Sequence, residues 1–522
     1  MNCAKKLFSA LMCLILIVSS FSSCAPQETA DENSTEQTTA PPVINYDKAG
    51  FTLAFLRTDS LNPYNISGET NRDIARLMYD PLFNIGNDFK PIPVIAESYT
   101  FTEPDVITVK IKPNLKFTDG SALTVDDVVY SFVLAKRSDF YSPSLKNITD
   151  ASNNGNGNIV FSLKNANPYE VANLFFPVIK KNSDSNASGS SDISSVPIGS
   201  GRYFLKEENG TEKLIANKTR LGSYIPIYNY ISLRDVTEVS SVTGLFDLNE
   251  VDFYTQSFSE GNYKRYSGTS TYYDTTNLVF LGINADCKVL NESKVRRALS
   301  LLIDRETVAA SSFSGFAVPT STAYHPSFYG IKGCSYIPVK SDAESAIELL
   351  KDAGFKNISS TYGFRYNDDG DKLELRLLVN KENSFKLSMA RNIQQTLAEA
   401  DIVVNIKEYS YNNYIQAIKS GSYDLYIGEV KLPESFSLNA FFNSNGGASF
   451  GIDNECKSAE AYKLLLQGEK TMQEFLDTFA DDLPFIPVLY RRGVAIKKTK
   501  IKTSPKTIVS DYLYNINEWT AE

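Results

Sequence analysis

An α/β fold class is predicted for this chain of 522 residues by two patterns in its later half. The first is an alternation of segments, in which strands over 373–379, 402–407 and 423–428 are separated by helices over 385–398 and 412–419. The second is the spacing of apolar residues in the helical segments, which recur every three or four positions and form one face. Strands and helices that alternate in this way pair in parallel through right-handed crossovers. The sequence therefore predicts helices packed on a parallel sheet.

Further elements follow from local signals earlier in the chain. Thr124 precedes a helical apolar stripe, and Ser341 and Glu344 have the spacing of a capping box at the start of another helix. Runs of Asn, Ser and Gly over 151–158 and 182–195 are typical of exposed loops. The second of these runs is the predicted internal boundary.

Composition narrows the function classes. The chain has 52 Lys plus Arg against 61 Asp plus Glu, and the resulting net charge of −9 is spread over its length. The sequence has no cluster of Lys and Arg residues that could bind nucleic-acid phosphates, so no nucleic-acid partner is expected. The single His excludes a multi-His metal site. It also leaves at most one imidazole that could act as an acid or base in catalysis.

The start of the chain has the pattern of a secretory signal peptide followed by a disordered linker. Residues 1–23 form a secretory signal, whose apolar run over 7–18 is too short to span a membrane. Cys24 follows two serines in an arrangement that resembles a bacterial lipobox, although Phe21 stands where Leu is usual. We predict a lipoprotein signal peptide and then, over 24–42, a lipidated Cys24 and a disordered tether without bulky apolar residues. The alternative is a plain secretory signal with a chance Cys.

Two short motifs suggest chemistry, and each has a simpler interpretation. Residues 447–451 match the GxSxG elbow of hydrolases around Ser449, but the only His, His325, precedes them and the surroundings read as a loop. Residues 367–371 are similar to part of a calcium loop, but Arg365 would occupy its first ligand position and Arg376 its bidentate position, so an Asp-Gly hairpin turn is preferred.

The cysteines beyond the tether show neither a CxxC nor a zinc pattern. Cys287, Cys334 and Cys456 are widely spaced. One disulfide with a free thiol, or three buried thiols, are both compatible with this spacing.

Several segments, in order and over nearly the whole mature chain, resemble the extracellular solute-binding proteins of family 5, which deliver peptides, nickel chelates and related solutes to ABC importers. The segment at 109–132, VKIKPNLKFTDGSALTVDDVVYSF, is similar to the family's most recognisable motif. The other matching segments are DSLNP at 59–63, MYDPLF at 78–83, PIPVIAES at 91–98, PIGSGRY at 197–203, KVRRALSLLIDR at 294–305, AGF at 353–355 and YDL at 423–425.

The resemblance implies an α/β, two-lobed periplasmic-binding-protein-like fold of the class II or cluster C type, with an inserted subdomain in lobe one. The chain would cross between the lobes near 277–284 and 483–489. The implied bounds are 43–275 and 485–522 for lobe one, 84–195 for the insertion and 276–484 for lobe two.

The function that the resemblance implies is a membrane-anchored receptor on the extracytoplasmic face of a bacterial cell membrane. It would bind a peptide or similar small organic solute between its lobes and present it to the permease subunits of an ABC importer. We expect a monomer with no enzymatic activity, no metal and no cofactor. One alternative is a ligand-sensing or adhesion lipoprotein on the same scaffold, and another is an extracytoplasmic hydrolase.

One segment departs from the pattern of the peptide-binding members. These usually have a Trp and acidic residues after the YDL strand, one of which can hold a peptide's amino terminus. Residues 428–434 have no Trp, and Glu429 or Glu434 are the candidates for the acid. The predicted ligand-binding residues are Asn62, Tyr64, Tyr273, Asp274, Tyr324, His325, Glu429 and Lys431.

Overall fold

A mixed sheet of eleven strands organises the part of the chain that the computed structural model describes, residues 50–184, 196–220, 226–257, 267–361, 363–503 and 505–520. Smaller sheets of two, two and four strands accompany it. The strands are β1 Thr52–Leu56, β2 Phe83–Ile85, β3 Pro91–Pro93, β4 Ala96–Glu103, β5 Val106–Ile111, β6 Ile148–Asn153, β7 Asn158–Leu163, β8 Tyr203–Glu208, β9 Thr211–Ala216, β10 Tyr230–Val236, β11 Phe253–Ser257, β12 Thr269–Ile283, β13 Ala317–Pro319, β14 Asn357–Ile358, β15 Arg365–Tyr366, β16 Glu374–Asn380, β17 Val403–Tyr409, β18 Leu425–Lys431 and β19 Phe485–Lys497.

Helices of three to fifteen residues connect and cover these strands. They are α1 Glu69–Met78, α2 Val125–Ala135, α3 Val242–Asp247, α4 Ser293–Leu302, α5 Arg305–Thr307, α6 Ala343–Asp352, α7 Ser384–Ala398, α8 Tyr411–Lys419, α9 Asn439–Phe442, α10 Lys457–Leu466 and α11 Met472–Asp482.

The predicted α/β layer is present. Strand β16 pairs in parallel with both β17 and β18, and helices α7 and α8 form the connections. Helix α7 buries the apolar stripe that its spacing predicts, with Phe385, Met389 and Ile393 among its buried residues. The fold class inferred from the sequence is therefore confirmed in this half.

Two long antiparallel strands, β12 and β19, lie in the middle of the large sheet and connect its two halves. Their register shifts between Asp274 and Leu278 and again between Val279 and Phe280. Before the first shift Tyr273 lies opposite Gly493, where a β-carbon would overlap the Tyr273 ring. A glycine is therefore required at this position for the ring to lie flat on the neighbouring strand.

The apolar core of the described residues consists of three clusters, each built mainly from one part of the sequence. One cluster gathers residues between 51 and 273 together with Ala495 and residues from 501 to 519, including the buried Trp519. Two other clusters are built mainly from residues between 278 and 490. The four-stranded sheet of β4 to β7 lies within the range 84–195 that the sequence assigns to an insertion. The lobe bounds themselves stay a prediction.

Local signals were accurate at one helix start and off by one residue at another. The Asp127 carboxylate accepts hydrogen bonds from the Thr124 N–H at 2.8 Å and hydroxyl at 2.7 Å, as a capping box does. The predicted box at Ser341 is wrong, because Asp342 caps α6 by accepting from the Ser345 N–H at 3.0 Å. Asp follows Ser here, and its carboxylate is the stronger acceptor.

The predicted Asp-Gly turn at 367–371 is present. The Gly370 N–H donates to the Asn367 carbonyl at 3.0 Å, and Gly370 has a φ of +85°. The signal peptide over 1–23, Cys24 and the tether over 24–42 lie outside the described residues, as does most of the predicted loop 182–195. Within the described ranges, no helix combines the length and apolar character of a membrane span.

Candidate functional site

A cavity of about 620 Å³ is enclosed by segments that are distant in the sequence. Its wall includes residues of helix α1, the β12 segment from Tyr273 to Asn277, Lys431 at the end of β18, Glu434 after that strand, and residues of 506–518 near the C-terminus. The volume lies within the range of about 300–1,000 Å³ that small-molecule sites occupy. The size and the mixed polar and apolar wall make this cavity the candidate ligand site.

Among the described residues, all four arginines of the cavity wall are paired with carboxylates. Arg202 pairs with Asp511 at 2.6 Å, and both side chains are only 7% exposed. Arg220 pairs with Asp80 at 2.7 Å. These pairs build the wall and leave little net charge for a ligand at their positions.

A second group of wall charges lies on α1, where Glu69 accepts from Arg72 at 2.6 Å and from Arg76 at 3.3 Å. Spacings of three and seven residues place these side chains on one helical face. Arg76 also pairs with Asp73 at 2.5 Å, so each arginine of this cluster has a carboxylate partner.

Aromatic rings form the apolar part of the wall. Tyr273 and Tyr512 are stacked with their centroids 3.8 Å apart, and the Arg76 guanidinium lies 4.3 Å from the Tyr512 centroid. Phe140 receives two cations, the Arg72 guanidinium at 3.8 Å and the Lys431 ammonium at 4.7 Å from its centroid. Such platforms suit apolar or cationic parts of a solute.

Glu434 differs from the other acids of the wall. It is 6% exposed, and its Oε2 accepts a hydrogen bond from the Ser144 hydroxyl at 2.9 Å. Among the described residues, no Lys or Arg lies within ion-pair distance of it. Burial raises the pKa of its carboxyl, while the charge of Lys431 acts in the opposite direction. A buried carboxylate without a cation is costly unless a ligand supplies one.

Three of the eight residues predicted from the sequence lie in this wall: Tyr273, Asp274 and Lys431. Asp274 holds Arg492, whose Nε donates to its Oδ1 at 2.7 Å. Glu429 lies outside the cavity and is paired with Lys386 at 2.9 Å. Of the two candidate acids, the structure therefore places only Glu434 against the cavity.

Asn62 and Tyr64 lie one layer behind the wall. The Asn62 side chain accepts from the Tyr64 N–H at 3.1 Å, which shapes the loop. The Tyr64 hydroxyl donates to the carbonyl of Pro177, a residue of the wall. Their contacts are those of residues that support the cavity from behind.

Tyr324 and His325 are buried in an aromatic cluster. Tyr324 stacks on Phe328 with centroids 5.5 Å apart, and the His325 ring lies 4.9 Å from Phe89 and 5.0 Å from Tyr490. His325 is fully buried in this cluster and is not part of the cavity wall.

The protonation state of His325 follows from its contacts. Its Nδ1 accepts from the Ser327 N–H at 3.0 Å, so the neutral ring carries its proton on Nε2. Nε2 lies 3.8 Å from Asp274 Oδ2, which is too far for a hydrogen bond. Burial lowers the pKa of His325 to about 4, against a weaker opposing effect of Asp274.

This buried imidazole predicts a pH dependence of stability. Since the unfolded chain protonates His325 near pH 6.5 and the folded chain near pH 4, the stabilisation is complete above pH 6.5 and is lost as pH falls towards 4. The loss amounts to about 3 kcal/mol. We expect the difference in unfolding free energy between wild type and His325→Asn to shrink by about this amount between pH 7 and pH 4 in urea titrations. Parallel profiles would show that His325 is not buried as a neutral ring.

Sequence reasoning missed several wall residues, above all the α1 cluster and Tyr512. One signal was available, because Glu69, Arg72, Asp73 and Arg76 have the three- and four-residue spacing of paired helix charges. No local signal marks Tyr512, which reaches the cavity from the end of the chain.

Among the residues that the structure describes, neither the GxSxG motif nor the cysteines form an assembled catalytic or metal site. Ser449 lies in a loop, and its hydroxyl donates to the Gly446 carbonyl at 2.8 Å. Cys287, Cys334 and Cys456 are half-buried free thiols. In the part of the chain that the structure describes, no three His, Cys, Asp or Glu side chains are grouped as metal ligands.

Two glutathione-binding proteins are similar to this chain in sequence. The glutathione-binding protein GsiB of Pectobacterium atrosepticum is 26% identical over 311 residues, which is 57% of this chain and 60% of the relative. The GsiB of Escherichia coli strain K12 is 25% identical over 318 residues, 58% of this chain and 60% of that protein. The match thus spans about three fifths of the length of these curated relatives.

Solved structures share the fold. The Brucella suis protein NikA, in complex with Fe(III)-EDTA, aligns over 90% of this chain and all of its own with a TM-score of 0.65 at 18% identity. The nickel ABC transporter structure from Bacillus halodurans aligns over 88% of this chain and 98% of its own with a TM-score of 0.70 at 17% identity. These similarities confirm the two-lobed periplasmic-binding-protein fold.

A model of one protein family matches more than half of the chain. Residues 90–449 match the description "Bacterial extracellular solute-binding proteins, family 5 Middle". Its members are substrate-binding proteins and not enzymes. The chain therefore belongs to the family 5 bacterial extracellular solute-binding proteins.

Proposed function

We propose that the protein is an extracytoplasmic receptor of an ABC importer, which binds a peptide-like solute with a free ammonium group in the cavity. The observation that carries this proposal is Glu434, a buried carboxylate on the cavity wall that has no Lys or Arg within ion-pair distance among the described residues. A ligand ammonium would compensate its charge and recover the free energy lost on burial.

The remaining wall charges favour a zwitterion over a simple cation. Lys431 lies three residues from Glu434 and lines the same cavity, where its charge lowers the pKa of Glu434. A solute that carries both an ammonium and a carboxylate group can satisfy these two residues together. The rings of Tyr273, Tyr512 and Phe140 would contact its apolar parts. Of the ligand-binding residues predicted from the sequence, the proposal uses Tyr273 and Lys431 at the solute, while Asp274 holds Arg492 at the wall.

The names of similar proteins fit this solute class. The sequence relatives bind glutathione by name, and an AppA protein of Bacillus subtilis, which aligns at a TM-score of 0.54, was solved with a nonapeptide. Glutathione carries an α-ammonium and an α-carboxylate on one carbon and contains two amide bonds elsewhere in the molecule. A glutathione-like or short peptide solute is therefore the first to test.

Attachment to the membrane is part of the same proposal. A lipid on Cys24 and the tether over 24–42 would hold a monomeric receptor at the extracytoplasmic face of the membrane, close to the permease. The support is the lipobox-like order of Ser22, Ser23 and Cys24 after the apolar run. Mass spectrometry of the N-terminal peptide would detect the lipid.

The experiment for the binding function is a calorimetric titration of the purified protein. The probes are glutathione, trialanine and Ni(II)-L-histidine, each in the same buffer at pH 7. We expect glutathione or trialanine to bind with a Kd in the micromolar range or below, which corresponds to about −8 kcal/mol or better. Binding of the nickel complex alone would contradict the peptide-like class, and binding of none of the three would reject the proposed ligands.

A further inference from the structure

A buried network of amide hydrogen bonds lies behind the wall at Glu434. Its centre is Glu170, which is 1% exposed and has no Lys or Arg within ion-pair distance in the described ranges. Glu170 Oε1 accepts from Asn173 Nδ2 at 2.8 Å, and its Oε2 accepts from Asn167 at 2.7 Å and Asn147 at 3.1 Å. Three amides thus take the place of a cation around this carboxylate.

The backbone fixes the orientation of these amides. Asn167 Oδ1 accepts from the Tyr169 N–H at 3.0 Å, so its NH₂ group is the one that faces Glu170. Asn173 Oδ1 accepts from the Ser435 N–H at 3.1 Å, and its Nδ2 donates both to Glu170 and to the Ser435 hydroxyl at 3.0 Å. Asn173 therefore grips Ser435 at two points, across 262 residues of sequence.

The turn that carries Glu434 is held at both ends. On one side Leu432 exchanges two hydrogen bonds with Thr276, at 3.0 Å and 2.6 Å. On the other side Ser435 is held by Asn173, and Phe436 adopts a φ of +53°, which is strained for a bulky residue. The Phe436 ring is packed 4.5 Å from Phe328, and this packing retains the strained conformation. The Glu434 side chain thus projects from a rigid turn.

Ser144 supplies the last constraint. Its hydroxyl donates to Glu434 Oε2, and both side chains are less than a tenth exposed. A carboxylate that is oriented before the ligand arrives loses little conformational entropy on binding. The hydrogen bond also favours the ionised form that an ammonium group needs.

We propose that Ser144 and Asn173, the latter held by Glu170, are positioning residues that orient Glu434 and thereby set the preference of the receptor for solutes with a free ammonium group. This inference rests on the proposed function, since it concerns the same cavity. It assigns the preference to residues that do not line the cavity wall.

The test compares each free-amine probe with its N-acetylated form. Glutathione and trialanine are titrated against N-acetylglutathione and N-acetyltrialanine in wild type, Ser144→Ala and Asn173→Ala. We expect the preference for the free amine to fall about tenfold in both variants, while affinity for the acetylated probes stays within about threefold. In Ser144→Ala the acid limb of the pH profile of free-amine binding moves to higher pH, because Glu434 loses a hydrogen bond to its ionised form.

Matched controls separate positioning from general destabilisation. Ser240 donates to Glu238 at 3.0 Å and Asn405 donates to Glu374 at 2.9 Å, both on the surface. Ser240→Ala and Asn405→Ala should change neither the preference nor the pH profile. Ser144→Thr, which keeps the hydroxyl, should retain both.

The outcomes distinguish this inference from the proposed function. If wild type prefers the free amine and both variants keep that preference, the positioning role is wrong. If free and acetylated affinities fall together by one factor, the residues are only structural and the inference is overturned. If wild type binds none of the four probes, the proposed function itself fails.

Discussion

Glu434→Gln is expected to weaken the binding of free-amine probes by about 100-fold, equivalent to about 2.7 kcal/mol. Glutamine keeps the size of the side chain and can still accept from the Ser144 hydroxyl, but it has no charge to offer an ammonium group. Because the site is buried, the lost charge–charge interaction is only weakly screened. Calorimetric titration of glutathione and trialanine against wild type and variant measures the effect.

The neighbouring acid gives the comparison for this prediction. Glu429 lies on strand β18, shortly before the turn that carries Glu434, but is paired with Lys386 and Arg491 outside the cavity. Glu429→Gln should therefore leave probe affinity within about threefold. It should lower the free energy of unfolding, because Lys386 and Arg491 lose their charged partner. If Glu429→Gln abolishes binding and Glu434→Gln does not, the ligand's cation lies elsewhere than proposed.

Asp511→Ala is expected to lower the free energy of unfolding by about 3–5 kcal/mol. The pair of Asp511 with Arg202 is buried, and removal of the carboxylate takes this charged partner away from the buried guanidinium. Arg202 donates to the carbonyls of Leu513 and Tyr514, so the pair ties the C-terminal segment to the cavity wall. Urea unfolding at pH 7 measures the loss.

A surface pair provides the control for Asp511. Arg234 and Glu250 form an ion pair at 2.8 Å with side chains 48% and 41% exposed. Glu250→Ala should cost about 1 kcal/mol or less, because water screens the pair and solvates the remaining charge. Equal losses in the two variants would mean that the Arg202 pair does not anchor the C-terminal segment.

The regular elements could be predicted because their signals are local. The apolar stripe of α7 and the alternation around β16, β17 and β18 depend on residues within one or two turns or strands. The same holds for the Thr124 cap and the turn at Gly370. The start of α6 shows the limit of local signals, since Ser341 and Asp342 are adjacent and only the geometry decides which one caps.

The cavity could be predicted only in part, because its polarity is set by contacts across long stretches of chain. Glu429 and Glu434 are equivalent by sequence, and their roles separate through Lys386 in one case and Ser144 in the other. Pro326 directly follows His325 and disfavours a helix there, but only Phe89 and Tyr490, from distant segments, show that the ring is enclosed. No local pattern contains this information.

The most direct measurement of the central claim is a crystal structure of the protein purified with its endogenous solute. We predict solute density inside the cavity, with a solute nitrogen about 2.7–3.2 Å from a carboxylate oxygen of Glu434. Solute bound outside this cavity, or bound within it with no nitrogen near Glu434, would contradict the account.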